Sequence, residues 1–139
     1  MNVYLSGEIH TDWRQQITQG AKGLDVSFSG PVTDHAASDD CGVAILGAEP
    51  DKFWHDRKGA QMNAIRTRKG IEDADVVVVR FGDQYKQWNA AFDAGYAAAL
   101  GKSLIVLPNR AEIYPRFGES NHGRVLPDLF ERRVVPQTV

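Results

Sequence analysis

The 139-residue sequence lacks most features that assign a chain quickly to a function class. Cys41 is its single cysteine, so no intrachain disulfide can form and no CxxC metal motif exists. No apolar run approaches the roughly 20 residues of a membrane-spanning helix. No charged segment followed by an apolar stretch opens the chain. We therefore expect a cytoplasmic protein without a membrane partner.

No sign of charge dominates, since 16 Lys and Arg residues face 18 Asp and Glu residues. Binding to a nucleic-acid polymer needs a clustered basic excess, so we expect no such partner. Neither a GxGxxG fingerprint nor a Walker A loop occurs, and we predict no cofactor. No metal site is predicted either, because no HxH or HxxxH spacing relates the four histidines, His10, His35, His55 and His122.

What the sequence does contain is an alternation of short apolar runs with segments of helical periodicity. Strands are predicted at residues 3–6, 25–29, 76–79 and 103–107, with a short edge strand at 134–135. Helices are predicted from Thr11 or Asp12 to Lys22, and at residues 61–73, 89–100 and 126–133. This alternation predicts a three-layer α/β/α sandwich. Its sheet would be mostly parallel, doubly wound and flavodoxin-like, in a single domain over residues 1–139.

Residues 31–61 are the least regular part of the chain. Within them, residues 43–46 are an apolar tetrad that fits either a strand fragment or a wall packed under a loop. An irregular stretch of this length in a small domain is either functional or wrongly assigned.

In a doubly wound sheet, ligands bind beyond the carboxyl ends of the strands, so the residues that follow each strand predict a cleft. The helix predicted at 89–100 adds Asp93, about one turn from its start. Gly7 fits an anion site beside a helix N-terminus, and it equally fits an ordinary strand end. The strand ends deliver these residues: Ser6, Gly7, Glu8, His10, Asp34, His35, Phe81, Gly82 and Asp83.

Asp93 is the strongest candidate for chemistry because its helix is small and apolar on nearly all sides. Such a helix packs closely on a sheet, and a buried carboxylate is costly unless it is partnered or faces a cleft. The alternative is a structural carboxylate in the first helical turn, favoured there by the helix dipole. From the residues alone, both interpretations remain open.

Several motifs resemble the nucleoside 2-deoxyribosyltransferase superfamily, which includes 2′-deoxynucleoside 5′-monophosphate N-hydrolases. The likeness to its YtoQ family covers nearly the whole chain, and the likeness to the characterised enzymes lies within residues 1–107. The helix motif, Phe-Asp-Ala-Gly-Tyr-Ala at 92–97, is the most specific. The others are Tyr-Leu-Ser-Gly at 4–7, Val-Thr-Asp-His at 32–35, Asp-Ala-Asp-Val-Val-Val at 73–78 and Leu-Gly-Lys at 100–102.

The resemblance implies an enzyme that cleaves the N-glycosidic bond, or transfers the deoxyribosyl group, of a nucleoside, nucleotide or related N-riboside. Asp93 would be the nucleophile that forms a glycosyl-enzyme intermediate, and Asp83 the acid that protonates the leaving base. It also implies a homodimer or higher homo-oligomer, in which residues 110–124 are either an arm into a neighbour's pocket or an exposed loop. The implied substrate-binding residues are Tyr4, Ser6, Gly7, Glu8, His10, Asp34, His35, Gly82, Gln87 and Asn89.

Three positions depart from the family pattern. Asp93 stands where glutamate is usual, which shortens the reach of the carboxylate by about 1.5 Å. Gln87 stands where an acid is usual, and Glu8 stands where a small residue is usual. A non-catalytic module on the same fold that binds a nucleotide or a nucleotide-sugar is therefore the alternative function. A structural protein that uses its tryptophan-containing middle segment as a dimer interface is a third.

Overall fold

The computed structural model describes residues 1–82 and 88–107 of the chain. Strands and helices alternate through this part. The strands are β1 (Asn2–Gly7), β2 (Ser27–Ser29), β3 (Val76–Arg80) and β4 (Ser103–Leu107). The helices are α1 (Trp13–Gly20), α2 (His35–Asp39), α3 (Cys41–Leu46), α4 (Lys52–Asp73) and α5 (Trp88–Ala99).

The four strands form one parallel sheet in the order β2-β1-β3-β4. In β1 and β3, Tyr4 pairs with Val77, Ser6 with Val79 and Gly7 with Arg80. The chain leaves β1 for β2 on one side and later returns to β3 on the other, so the strand order reverses between β1 and β3. Their carboxyl ends are therefore the place where a sheet of this kind binds ligands.

Each face of the sheet has its own apolar cluster, because successive side chains of a strand point to opposite faces. On the face that α1 covers, Val3 and Leu5 pack with Trp13 and Val78. The other face packs against α4 and α5 through these buried residues: Tyr4, Ile71, Ala74, Val77, Val79, Ala90 and Ala97. Helices thus cover both faces, which confirms the predicted three-layer α/β/α sandwich.

Most predicted elements are confirmed in type, with ends that shift by a few residues. The strand predicted at 103–107 matches β4, and the valine run is β3. β2 is shorter than predicted and begins at Ser27, and α1 ends at Gly20 rather than Lys22. The helix predicted at 126–133 and the edge strand at 134–135 lie outside the described residues. The single domain over 1–139 stays a prediction for the same reason.

The prediction of an irregular segment at 31–61 is wrong. The apolar tetrad at 43–46 belongs to helix α3, and α4 begins at Lys52. Asp51 caps α4 by accepting a hydrogen bond from the Phe53 N–H at 2.8 Å. A four-residue apolar run does not by itself distinguish a strand from a buried helix turn, which is why the tetrad was misread.

Two glycines let the short helices α2 and α3 approach α4 closely. A Cβ on Gly42 would lie 2.6 Å from Lys58 Cβ, and one on Gly59 would lie 2.7 Å from the Asp39 carbonyl oxygen. These glycines explain how two short helices pack on one long helix. Among the described residues, no helix is both long and apolar enough to cross a membrane.

Candidate active site

The site is built where β1 and β3 end side by side. Gly7 ends β1 with φ at +101°, a backbone conformation that residues with a side chain rarely adopt. A Cβ at this position would also lie 2.1 Å from the Arg80 carbonyl oxygen. The backbone therefore requires glycine here, and the Glu8 N–H donates to that same Arg80 oxygen at 3.1 Å. Gly7 therefore forms a tight strand end, and its predicted place beside an anion stays a prediction.

The central contact joins Ser6 of β1 to Asp93 of α5. The Ser6 hydroxyl donates a short hydrogen bond to Asp93 Oδ2. Ser6 is fully buried, and Asp93 is 8% exposed. In the described part of the chain, no other hydrogen bond reaches the Asp93 carboxylate. The two residues are 87 positions apart in sequence, so the fold alone brings them together.

Asp93 faces the sheet together with Ala90 and Ala97, the other buried residues of α5. As described, α5 begins at Trp88, so Asp93 is its sixth residue and the first turn contains no acid. The expectation of a first-turn carboxylate is thus wrong. The helix dipole acts mainly within the first turn, so it gives Asp93 little compensation.

The electrostatics of Asp93 follow from this burial. Desolvation raises the pKa of the Asp93 carboxyl above its ordinary value, and the Ser6 hydrogen bond opposes that rise. Among the described residues, the Asp93 carboxylate has one hydrogen-bond donor and no ion-pair partner, so the described structure leaves it poorly solvated. Groups of this kind concentrate at functional sites, because structure alone gives no reason to keep them.

Glu8 stabilises the turn that follows β1, and its predicted part in substrate binding stays a prediction. Its carboxylate is buried, and it accepts hydrogen bonds from the His10 N–H, from the Thr11 N–H at 2.8 Å and from the Thr11 hydroxyl at 2.7 Å. Burial pushes the pKa of Glu8 upward, but these hydrogen bonds and the charge of Arg80 outweigh it, so the net pKa is lowered. Glu8 therefore stays ionised and anchors the turn between β1 and α1.

Arg80 and Gly82 connect this turn to the end of β3. Arg80 Nε lies 3.8 Å from Glu8 Oε2 and, within the described residues, is buried without a hydrogen-bond partner. A Cβ on Gly82 would lie 2.2 Å from Glu8 Cγ. The loop after β3 thus begins in direct contact with the Glu8 side chain.

Arg14 binds the backbone at the end of β1. Its guanidinium donates to the carbonyl oxygens of Leu5 at 3.0 Å, Gly7 at 3.0 Å and Glu8 at 2.5 Å. The indole N–H of Trp13 also donates to the Glu8 carbonyl at 2.7 Å. Burial lowers the pKa of Arg14, but a guanidinium stays charged throughout the physiological range.

Tyr4 is 2% exposed, and its ring lies where a Cβ on Gly70 would stand. Its hydroxyl donates to Thr67 Oγ1 at 3.4 Å. Burial raises the pKa of Tyr4, the hydrogen bond between Tyr4 and Thr67 lowers it, and the charge of Asp93 raises it again, so that the net pKa is raised. Tyr4 is therefore a core residue beneath Asp93, and its predicted place in the pocket wall stays untested.

The remaining predicted site residues are more scattered. Asp34 is exposed and caps α2 by accepting from the Ala37 N–H at 2.7 Å. Asn89 is exposed near the start of α5, and His10 is exposed in the turn after β1. The described contacts do not connect any of these three with the Ser6–Asp93 pair. Asp83, Gln87, the side chain of His35 and residues 110–124 lie outside the described residues.

Sequence reasoning overlooked Arg14, Arg80 and Trp13. The partners of Arg14 are backbone carbonyls, which leave no trace in a motif. A signal for Arg80 did exist, since a charged residue directly after four valines marks the carboxyl end of a central strand. In the described part of the chain, no cluster of three or more His, Cys, Asp or Glu side chains is placed to hold a metal ion.

Comparison with known proteins adds to this geometry. A family model described as nucleoside 2-deoxyribosyltransferase YtoQ matches residues 4–123. An uncharacterised protein of Bacillus subtilis (strain 168), YtoQ, is 40% identical over 134 residues, covering 95% of this chain and 90% of that protein. A 2-deoxyribosyltransferase of Bacillus psychrosaccharolyticus shares the fold at a TM-score of 0.54 and 17% identity, over 82% of this chain and 77% of that one. The chain belongs to the nucleoside 2-deoxyribosyltransferase YtoQ family.

Proposed function

We propose that this protein cleaves the N-glycosidic bond of a nucleoside, nucleotide or related N-riboside through a carboxylate nucleophile. The observation that carries the proposal is Asp93, a buried carboxylate at the β1–β3 switch that accepts one described hydrogen bond. The family match supports a nucleoside-processing enzyme, and the shared fold is compatible with it.

The chemistry is a double displacement. An oxygen of Asp93 bonds to C1′ of the sugar while the C1′–N bond breaks, and the departing base takes that electron pair. The base also needs a proton, for which Asp83 is the proposed donor. In the second step water, or a second base, bonds to C1′ and gives its proton to Asp83, which the first step left as a carboxylate. The electron pair of the ester C1′–O bond returns to Asp93.

Partial burial of Asp93 suits this role in two ways. A poorly solvated carboxylate is a stronger nucleophile than one surrounded by water, because fewer hydrogen bonds must break before it attacks. Its raised pKa also sets an acid limit, since only the ionised form attacks. Activity should therefore fall at low pH, with an apparent pKa above that of an ordinary aspartate.

The test is release of free base, measured by chromatography, from a panel of deoxynucleosides, ribonucleosides and their 5′-monophosphates at high enzyme concentration. We expect release from at least one class and a loss of at least about 100-fold in Asp93→Asn, a change that keeps the shape and removes the charge. Asp12→Asn, which changes an exposed carboxylate in the same way, should leave the rate unchanged.

Two results would count against the proposal. Equal base release by the parent and Asp93→Asn would remove Asp93 from the reaction. No release from any substrate, combined with stabilisation of the fold by a nucleotide, would favour the non-catalytic binding module instead. Assembly into a homodimer or higher oligomer remains a prediction from the family resemblance.

A further inference from the structure

We propose that Ser6 is the positioning residue of the site, which holds Asp93 Oδ2 through its hydroxyl and so leaves Oδ1 as the attacking oxygen. This inference rests on the proposed function and assigns separate tasks to the two carboxylate oxygens. Ser6 would not touch the reacting carbon itself. It would act through Asp93.

The geometry for this role is built from both elements. Ser6 is fully buried, because Tyr4 and Ser6 point to the face of β1 that α5 covers. Within the described residues, the Asp93 side chain receives its one hydrogen bond at Oδ2. A carboxylate held by one hydrogen bond can still rotate about that bond. Close packing of α5 on the sheet restricts this rotation for Asp93. Oδ1 is then the oxygen without a described donor.

The backbone at Ser6 is held unusually firmly for a strand end. Arg14 binds the carbonyls on both sides of Ser6, those of Leu5 and Gly7. On the neighbouring strand, Ser6 pairs with Val79, which is fully buried. The donor is thus preorganised, so the hydrogen bond costs little ordering of the chain.

The same hydrogen bond serves both chemical steps. When Oδ1 bonds to C1′, Oδ2 becomes the carbonyl oxygen of the glycosyl ester, and it still accepts from Ser6. When water bonds to C1′, the electron pair of the C1′–Oδ1 bond returns to the carboxylate, and the donor stabilises the returning charge. A hydroxyl donor also partly compensates for the desolvation of a carboxylate as short as aspartate.

The experiment compares Ser6→Ala with the parent by ¹³C NMR titration of aspartate carboxyl groups, using Asp93→Asn to assign the Asp93 signal. Loss of one hydrogen bond to a charged group should raise the Asp93 pKa by about one to two units. Ser6→Thr, which keeps the hydroxyl, should restore it. Ser27→Ala removes a serine hydroxyl from the neighbouring strand β2, and it should leave the Asp93 pKa unchanged.

Kinetic measurements distinguish a positioning role of Ser6 from a purely structural one. In Ser6→Ala we expect kcat to fall by about 10- to 100-fold at a nearly constant KM, with the acid limb of the pH profile displaced upward by the same amount as the NMR pKa. At a pH above that limb, a residual loss of kcat should remain, because ionisation is restored but the orientation of Oδ1 is not.

The two proposals fail separately. An Asp93 pKa that does not move in Ser6→Ala overturns the inference, whether or not the protein releases base. A full recovery of kcat at high pH also overturns it, because orientation would then contribute nothing. If the Asp93 pKa moves as expected but the parent releases no base, the proposed function fails and the Ser6 contact stands.

Discussion

Asp93 combines a cost to the fold with the catalytic role that we propose for it. A carboxylate that is 8% exposed and receives one described hydrogen bond has lost much of its hydration, and the described part of the chain supplies no cation as compensation. Enzymes often tolerate a loss of fold stability where catalysis requires a reactive group. Replacing the Asp93 carboxylate should therefore increase stability while abolishing activity. Glu8 is equally buried but fully hydrogen-bonded, which makes it a structural anion.

Asp93→Asn should therefore raise the free energy of unfolding at neutral pH by about 1 kcal/mol. The raised pKa means that, between the ordinary value of 3.8 and its folded value, the folded protein binds more protons than the unfolded chain. The stability of the parent thus falls as pH rises through that window. The gain from Asp93→Asn should vanish below the window and be complete above it.

Urea denaturation of both proteins over a series of pH values measures this difference directly. Asp12→Asn, at an exposed position, should show no pH-dependent gain. An Asp93→Asn protein less stable than the parent at neutral pH would mean that the Asp93 charge is stabilised rather than strained.

The turn between β1 and α1 lies beside the candidate site, and side chains of both charges bind its backbone. Arg14 and the Trp13 indole bind backbone carbonyls of the turn, and the Glu8 carboxylate binds its backbone N–H groups. The turn is thus held largely by side chains, among them a buried carboxylate and a half-buried guanidinium. Gly82 extends the contact to the loop after β3.

Gly82→Ala should lower the free energy of unfolding by about 1–3 kcal/mol, since the new methyl group would displace a Glu8 side chain held by three hydrogen bonds. Gly95→Ala on α5 is the matched control, because no described atom lies within 4 Å of its added Cβ. That change should instead stabilise the helix by up to about 1 kcal/mol. Chemical denaturation measures both, and equal stability of the two variants would show that Glu8 does not pack on Gly82.

The whole molecule shows how far sequence patterns reach. Alternating strands and helices, the valine run and the terminal glycines predict the layered parallel sheet, because these patterns depend on local periodicity. The same patterns do not describe residues 31–61, where close packing through Gly42 and Gly59 decides the structure. Local patterns carry no information about which distant helices can approach each other.

The site follows the same rule. Ser6, Glu8 and Asp93 are each predicted correctly as residues near the strand ends, because the topology of the sheet determines that position. The contacts that these residues make cannot be predicted from the sequence. Ser6 binds Asp93, which is 87 positions away, and the Glu8 carboxylate binds the backbone N–H of His10 in its own turn. Arg14 is invisible to motifs because it binds carbonyls that every residue possesses.

Covalent trapping tests the central claim most directly. In a 2′-deoxy-2′-fluoro-arabinosyl nucleoside, the fluorine at C2′ disfavours the positively charged transition state, so that a glycosyl-enzyme ester formed slowly should break down more slowly still. The account predicts an intact-mass increase of one fluorosugar per chain, mapped by peptide sequencing to Asp93 and absent from Asp93→Asn. An adduct on another residue, or base release from natural nucleosides by a protein that never forms the adduct, would contradict Asp93 as the nucleophile.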